Sequence, residues 1–439
     1  MLHVPRLPHL ALVALTLQLV GAPVSAQDRL FVRGLPDPSQ PPSPAQEFGA
    51  IARLGQPLGA RPFWVSSDVV GGGRFMVHFR GNVPGLGFDA PAVVVETLTG
   101  RQVAVSGVVV AADPIRPRVY TWLADTISVA DLDHGTASAV LTGVPLAEAT
   151  QVQYAPNADV LVVSRASALV ALDGSSGAVR RTLPALGAVA GAPTLAYPDL
   201  GAGWLANPDA SRVFALAADG TAVRVIDGTT GAEVARSPLG GGANGVLMPD
   251  WAGERIFAVQ GTLHAWLLSA LTTSGQALGN APLSGRCPPA VRSSPHTGRV
   301  YLSSFGGGGG SYYGPITQAL SAFDGATLGA LGHTTIADNL DQCGGIQFVL
   351  VSPPGPPRDV AAATSGHDVT LRWTNLGNAT DFVLDVGLAP GQTALTLPLG
   401  ATTSTTITGV PSGRYFARVR GGNLFGSSPA SREVTIVVP

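Results

Sequence analysis

Few residues in this chain are placed to do chemistry. All 26 basic residues are arginine and none is lysine, so Schiff-base and amine-nucleophile mechanisms are excluded. The eight histidines are scattered, with no HExxH or comparable metal-ligand spacing. The glycine run Gly306–Gly310, followed by Ser311, Tyr312 and Tyr313, superficially resembles a phosphate cradle. A cradle needs a lysine and a following helix, and the sequence offers neither. The stretch is better read as a flap carrying two aromatics, Tyr312 and Tyr313, that can stack on a sugar or a peptide. Asp338, Asn339 and Asp341 place oxygens close together, but the spaced Gly and Glu of a calcium loop are missing. No catalytic residue, cofactor site or metal site is assigned. A net charge of -2 with dispersed arginine offers no basic stripe, so nucleic acid is not expected as a partner.

The elements that position these residues are strands. Hydrophobic residues make up 45% and charged residues only 12%, while 56 Gly and 36 Pro provide turn punctuation. A motif of arginine, an apolar residue and an aromatic recurs at Arg29, Arg118, Arg212, Arg255 and Arg299, with a variant at Arg74 and a degraded copy at Asp159. Successive starts lie 45, 44, 41, 53, 43 and 44 residues apart, the length of one four-stranded propeller blade. Before each motif after the first sits a short apolar segment with an Asp or Pro turn, such as Val246–Asp250, predicting an inner strand, a tight turn and a second strand. After it comes an acid with glycine four residues on, at Glu96 and Gly100, Asp131 and Gly135, Asp173 and Gly177, and Asp227 and Gly231. That spacing predicts the hairpin between third and fourth strands, with the acid holding backbone N–H groups.

The first motif has no inner strand before it, whereas an unattached inner strand, Ile346–Val351, follows the sixth complete unit. The expected fold is therefore all-β: a seven-bladed β-propeller closed by one late strand and three early ones, plus a C-terminal β-sandwich. Through Arg-Val-Tyr and Ile226-Asp-Gly-Thr-Thr-Gly231 the repeat resembles the YVTN type of propeller over about 29 to 352. Blades 1, 5 and 6 depart from that pattern. The resemblance implies a fold found in exported microbial proteins, with no single activity.

Residues 1–26 read as a secretory signal, with Arg6, an apolar run from Leu10 to Val20 and a small-residue site ending at Ala26. That run is too short to span a bilayer. The propeller is expected over 27–352, a proline linker over 353–357, and the second domain over 358–439. Trp373 and the segments Val410–Tyr415 and Arg418–Ser428 make this last part resemble a fibronectin type III domain, and the Pro411 to Tyr415 spacing is that of its tyrosine corner. Such modules serve exported proteins as spacers or attachment units. Outside the cytoplasm Cys287 and Cys343, each just before an inner strand of adjacent blades, are expected to form a disulfide stapling the split blade.

Loops joining first to second and third to fourth strands are short; those opening on the other face, about 33–47, 80–91, 182–202, 304–317 and 330–345, are long. Binding is expected on the long-loop face, where loops sit on a rigid ring. Tyr312 and Tyr313 on the flap, with Arg292 and Gln347 on inner strands, are the candidate ligand contacts. The inner strands carry no His, Glu or Cys. The expected function is thus an exported, monomeric, non-enzymatic protein recognising an extracellular protein, peptide or glycan. The alternative is an extracellular propeller hydrolase or lyase acting on a small molecule or polysaccharide.

Overall fold

The computed structural model describes residues 28–33, 45–49, 57–61, 69–79, 92–123, 126–134, 136–141, 149–187, 189, 203–240, 242, 244–262, 265–283, 291–307, 316–340, 347–376 and 378–439. Among these the chain is all-β, and it forms a β-propeller followed by a β-sandwich. Seven antiparallel sheets have four strands each. Six are built from consecutive strands, as in blade 4, with Trp204–Ala206, Arg212–Leu216, Ala222–Asp227 and Glu233–Pro238 running from inside to outside. In the seventh, Gln347–Val351 pairs with Arg29–Arg33, which continues to Ala45–Gly49 and Pro57–Arg61. The register sets Arg29 against Val351 and Arg33 against Gln347. From blade 2 to blade 6 each inner strand touches the next, and Gln347–Val351 touches the inner strands of blades 6 and 1.

Each sheet is covered on both faces by its neighbours, which is why valine, leucine and alanine dominate the buried positions and charge is scarce. Val77, Val94 and Val105 of blade 1 pack on Val109, Val119 and Ala130 of blade 2. Phe214, Val223 and Val225 of blade 4 pack on Leu247, Ile256 and Ala258 of blade 5. The aromatics of the repeat, Tyr120, Phe214, Phe257 and Tyr301, are among the largest fully buried side chains.

The two repeating signals turn out to be one structural unit. The motif arginine and the acid ending the third strand are cross-strand neighbours, as Arg212 and Asp227 are, and these two pair at 2.6 Å. The same acid then caps the hairpin: Asp227 Oδ1 accepts N–H bonds from Thr229 and Thr230, both at 2.9 Å, and Gly231 takes φ +75°. Asp173 does likewise for Ser175 and Ser176. Blade 6 uses Asp324 the same way, but the left-handed position holds Leu328 at φ +58°, so the glycine signal fails there.

The sandwich has one sheet of Arg358–Ser365, Asp368–Thr374 and Ser404–Ile407. The other holds Leu395–Gly400, Asp381–Gly387, Gly413–Asn423 and Gly426–Ser427, with Val434–Val438 on Gly413–Asn423. Trp373 meets Phe382 edge-on at 5.5 Å in its core, and Tyr415 donates its hydroxyl proton to Pro411 O at 2.9 Å.

Candidate functional site: the channel mouth beneath the sandwich

Short turns from the first to the second strand of each blade gather at one mouth of the ring, and the sandwich lies on them. Three groups of contacts fix it. Asn157 Nδ2 donates to Asn375 O at 2.6 Å, joining the blade 3 turn to the sandwich loop 375–380. Arg358 pairs with Glu254 at 2.9 Å and donates to Ala252 O on the blade 5 turn. Phe425, 2% exposed, wedges between Met76, Val95 and Val351 where blade 1 meets the split blade, and the Arg29 guanidinium stands 5.8 Å over its ring. Glycine is required beneath it, because a Cβ on Gly73 would stand 2.4 Å from the Phe425 ring.

Under this cap lies a chamber of about 230 Å³ at the ring axis. Its walls include Pro114, Pro156, Pro208, Pro249 and Pro295, from five different blades, with Leu376 and Asn378 of the sandwich above. Proline carries a carbonyl but no N–H, so this collar supplies acceptors and no donors. Tyr154, Asp250 and Ser293 also line the chamber. The hydroxyl protons of Tyr154 and Ser293 are already committed, to Asp159 at 2.8 Å and to Pro249 O. Asp250 is 1% exposed; its Oδ1 accepts from Gly253 N at 2.8 Å, while its Oδ2 has no partner among the described residues. Burial raises the Asp250 pKa above the ordinary carboxylate value. Asn378 donates from Nδ2 to Ser352 O at 3.0 Å, and its buried Oδ1 likewise has no partner among the described residues. Crevices of about 660 and 430 Å³ flank the chamber between the sandwich and the turns.

Beside the chamber an ionic cluster fastens blade 2 to blade 3. Arg116 and Arg118 reach the fully buried Asp113 carboxylate at 2.6 and 2.8 Å. Arg116 Nη2 donates to the Tyr154 hydroxyl oxygen, Oη, at 2.6 Å and to Pro156 O at 2.8 Å, and Arg118 also pairs with Asp159. Burial, then the Asp113 charge, push the Tyr154 hydroxyl well above its ordinary pKa, so it supplies no phenolate. Burial opposes the Arg118 charge, but Tyr120, Tyr154 and Asp113 outweigh it and raise its pKa. Every charged member has an opposite neighbour, and the cluster acts as a rivet rather than as an acid–base pair.

The sequence-predicted contacts divide. Arg292 lies half-buried on the inner strand of blade 6, its Nη1 donating to Val291 O at 2.7 Å. Gln347 begins the adjacent inner strand, in register with Arg33. These two sit on touching strands. Tyr312, Tyr313, Cys287 and Cys343, like most of the long loops, lie outside the described residues. Among the described residues no three His, Cys, Asp or Glu side chains group closely enough to hold a metal by themselves. The chamber and its cap escape sequence reading, because nothing in the alternation of strands says where one domain rests on another. Asp250, visible as a turn residue after Val246–Pro249, is the one local signal.

No protein-family model matches the sequence, and none of the curated proteins does. Among solved structures, dihydro-heme d1 dehydrogenase NirN in complex with DHE aligns over 87% of this chain and 75% of its own, at 14% identity and a TM-score of 0.44. Kuenenia stuttgartiensis hydrazine synthase aligns over 82% of this chain and 99% of its own, at 12% identity and a TM-score of 0.41. The FN5 domain of Drosophila Lar aligns along 97% of its length with 20% of this chain, at 20% identity and a TM-score of 0.18.

Proposed function

We propose that this chain is an exported binding protein whose propeller, of the YVTN kind, recognises an extracellular protein, peptide or glycan on its long-loop face. The observation that carries this reading is the position of the sandwich. With Leu376 and Asn378 over the short-turn mouth, that end of the ring is occupied, and recognition falls to the opposite end. The sandwich, read as a fibronectin-like module, is then a cap on the ring rather than a spacer beside it. Arg292 and Gln347, whose inner strands touch, are the positions to test.

Purified protein is screened against soluble peptide and glycan arrays, and the footprint of the best binder is mapped by hydrogen exchange. Protection within 185–202, 308–315 or 341–345 is expected; Ala330–Leu340, read from the sequence as part of a long loop, is the outer strand of blade 6, paired with Ile316–Asp324. Protection confined to the turns around Pro156, Pro208 and Pro295, or turnover of lactone or glycan substrates, overturns the reading.

A further inference from the structure

We propose that the crevice of about 660 Å³ between the sandwich and the turns of blades 4 and 5 binds a neutral glycan, with Trp251 as the platform for a sugar ring. The crevice lies beside the capped mouth, on the short-turn side of the ring, so this site does not rest on the long-loop reading.

Trp251 breaks the repeat. The position four residues before the second strand is proline in blades 2, 3, 4 and 6, as Pro114, Pro156, Pro208 and Pro295, and tryptophan in blade 5. Its sister turns fold without an indole, so the turn itself does not call for one. Trp122, Trp204, Trp266 and Trp373 bury their indole N–H groups; Trp251 is half-buried and does not. Its ring packs 5.9 Å from that of Phe214, which is 1% exposed and holds the indole in place.

Around this platform the walls are polar on both sides, with Asn207, Asp209 and Ser211 from blade 4, Thr273 from blade 5, and Asp359 and Thr374 from the sandwich. Several are fixed before any guest arrives. Asn207 Oδ1 accepts from Arg212 N at 2.8 Å and its Nδ2 donates to Ser211 Oγ at 3.1 Å, while Asp209 Oδ1 accepts from Ser211 N at 2.9 Å. Thr374 donates to Asp359 Oδ2 at 3.2 Å. Asp359 takes a left-handed φ of +52°, a strained backbone of the kind that gathers at binding sites. Charge selects weakly here. Arg212 is answered by Asp227 at 2.6 Å and Glu254 by Arg358 at 2.9 Å, and the carboxylates of Asp209 and Asp359 belong to exposed residues, where water screens them. The half-buried Asn207, Ser211, Thr273 and Thr374 are uncharged and carry both donors and acceptors. The turn amides are spent internally, Ala210 N on Asn207 O, Glu254 N on Trp251 O and Thr273 N on Glu254 O, so recognition falls to side chains rather than to the backbone pairing a peptide strand uses. Sugars match this surface: their hydroxyl groups donate and accept at once, and their C–H faces cover an indole. The volume lies within the roughly 300–1,000 Å³ of small-molecule sites. The neighbouring crevice of about 430 Å³ shares Asn157, Asp209 and Thr374 with this one, which gives a chain of several sugars room to continue.

Cellohexaose, maltohexaose and mannohexaose serve as neutral probes, with oligogalacturonate, oligochitosan and an uncharged peptide as the anionic, cationic and polypeptide contrasts. Calorimetric titration of the full chain is expected to show saturable binding of at least one neutral hexasaccharide, with hydrogen-exchange protection at 207–211 and 251–254. Trp251→Pro installs the residue that four other blades carry and should weaken that binding roughly tenfold or more, because an apolar sugar face is left in water. Asp209→Ala should weaken it severalfold. Circular dichroism checks that each variant folds, and if Trp251→Pro does not, Asp209→Ala decides. Loss of binding in Arg292→Ala with full affinity in Trp251→Pro would move the glycan to the long-loop face, overturning this proposal and leaving that reading standing. No binding by any neutral probe, preference for a contrast ligand, or equal affinity in wild type and the deciding variant overturns it as well.

Discussion

Asp28 shows how much a single side chain holds at the seam. It is 1% exposed and accepts hydroxyl protons from Ser294 at 2.7 Å, Thr297 at 2.7 Å and Tyr301 at 2.8 Å, all in blade 6. Asn in its place keeps one acceptor and turns an NH₂ toward hydroxyl groups. Asp28→Asn should cost about 3 kcal/mol, read as a lowered midpoint in urea unfolding, because charge-assisted bonds are lost and donors are left buried. The hairpin acids predict a pH response. Hydrogen bonds hold Asp173, Asp227 and Asp324 below the ordinary carboxylate pKa, led by Arg180 for the first and by backbone N–H groups for the others. Groups with lowered folded pKa stabilise above their unfolded value and lose that contribution as pH falls. Thermal midpoints should therefore drop below about pH 4, and the triple Asn variant should flatten that limb. Asp250 works in the opposite sense: its raised pKa favours folding at low pH, and that contribution is lost as pH rises. Asp250→Asn should lessen the fall in stability as pH rises through and above the ordinary carboxylate range, from about pH 4 upward.

At the scale of elements, the repeat was legible because one cross-strand pair writes two signals into the sequence. Arg212 and Asp227 face each other, so their spacing is fixed by a hairpin of fixed length, and the glycine after the acid is forced by a left-handed backbone. Where packing replaces glycine, reading fails: Leu328 occupies that conformation with 7% exposure among Phe257, Leu302 and their neighbours. In the sandwich, Leu395–Gly400 carries a mixed signal: Leu395, Leu397 and Leu399 alternate, but Pro398 interrupts the run and the strand is largely exposed. Gly231→Ala should lower stability by about 1 kcal/mol or more, since φ is +75° and the added Cβ would meet Pro184 Cδ at 2.5 Å. Differential scanning calorimetry reads this directly.

For the whole molecule, propeller and sandwich share a core. Phe425 packs with Met76, Val95 and Val351 on the ring, so the sandwich buries surface at the place where the ring is split. Phe425→Ala should cost about 3–5 kcal/mol. It should also raise hydrogen exchange of Gln347–Val351 more than that of the continuous inner strand Asn244–Asp250. Equal increases in the two would mean that the wedge stabilises the sandwich alone. None of this was legible in the chain, where the linker's prolines suggest separation; yet Pro354 O lies within 3.3 Å of His296 Nδ1, against the ring.

The pairing of Arg29–Arg33 with Gln347–Val351 also sets a timetable. A ribosome delivers the first strand early and its inner partner only after nearly all of the ring has been made. Throughout that interval the early strand offers an unpaired edge to any neighbouring chain. Vectorial synthesis thus makes the split blade the step most open to chaperone capture or to exchange between two nascent copies.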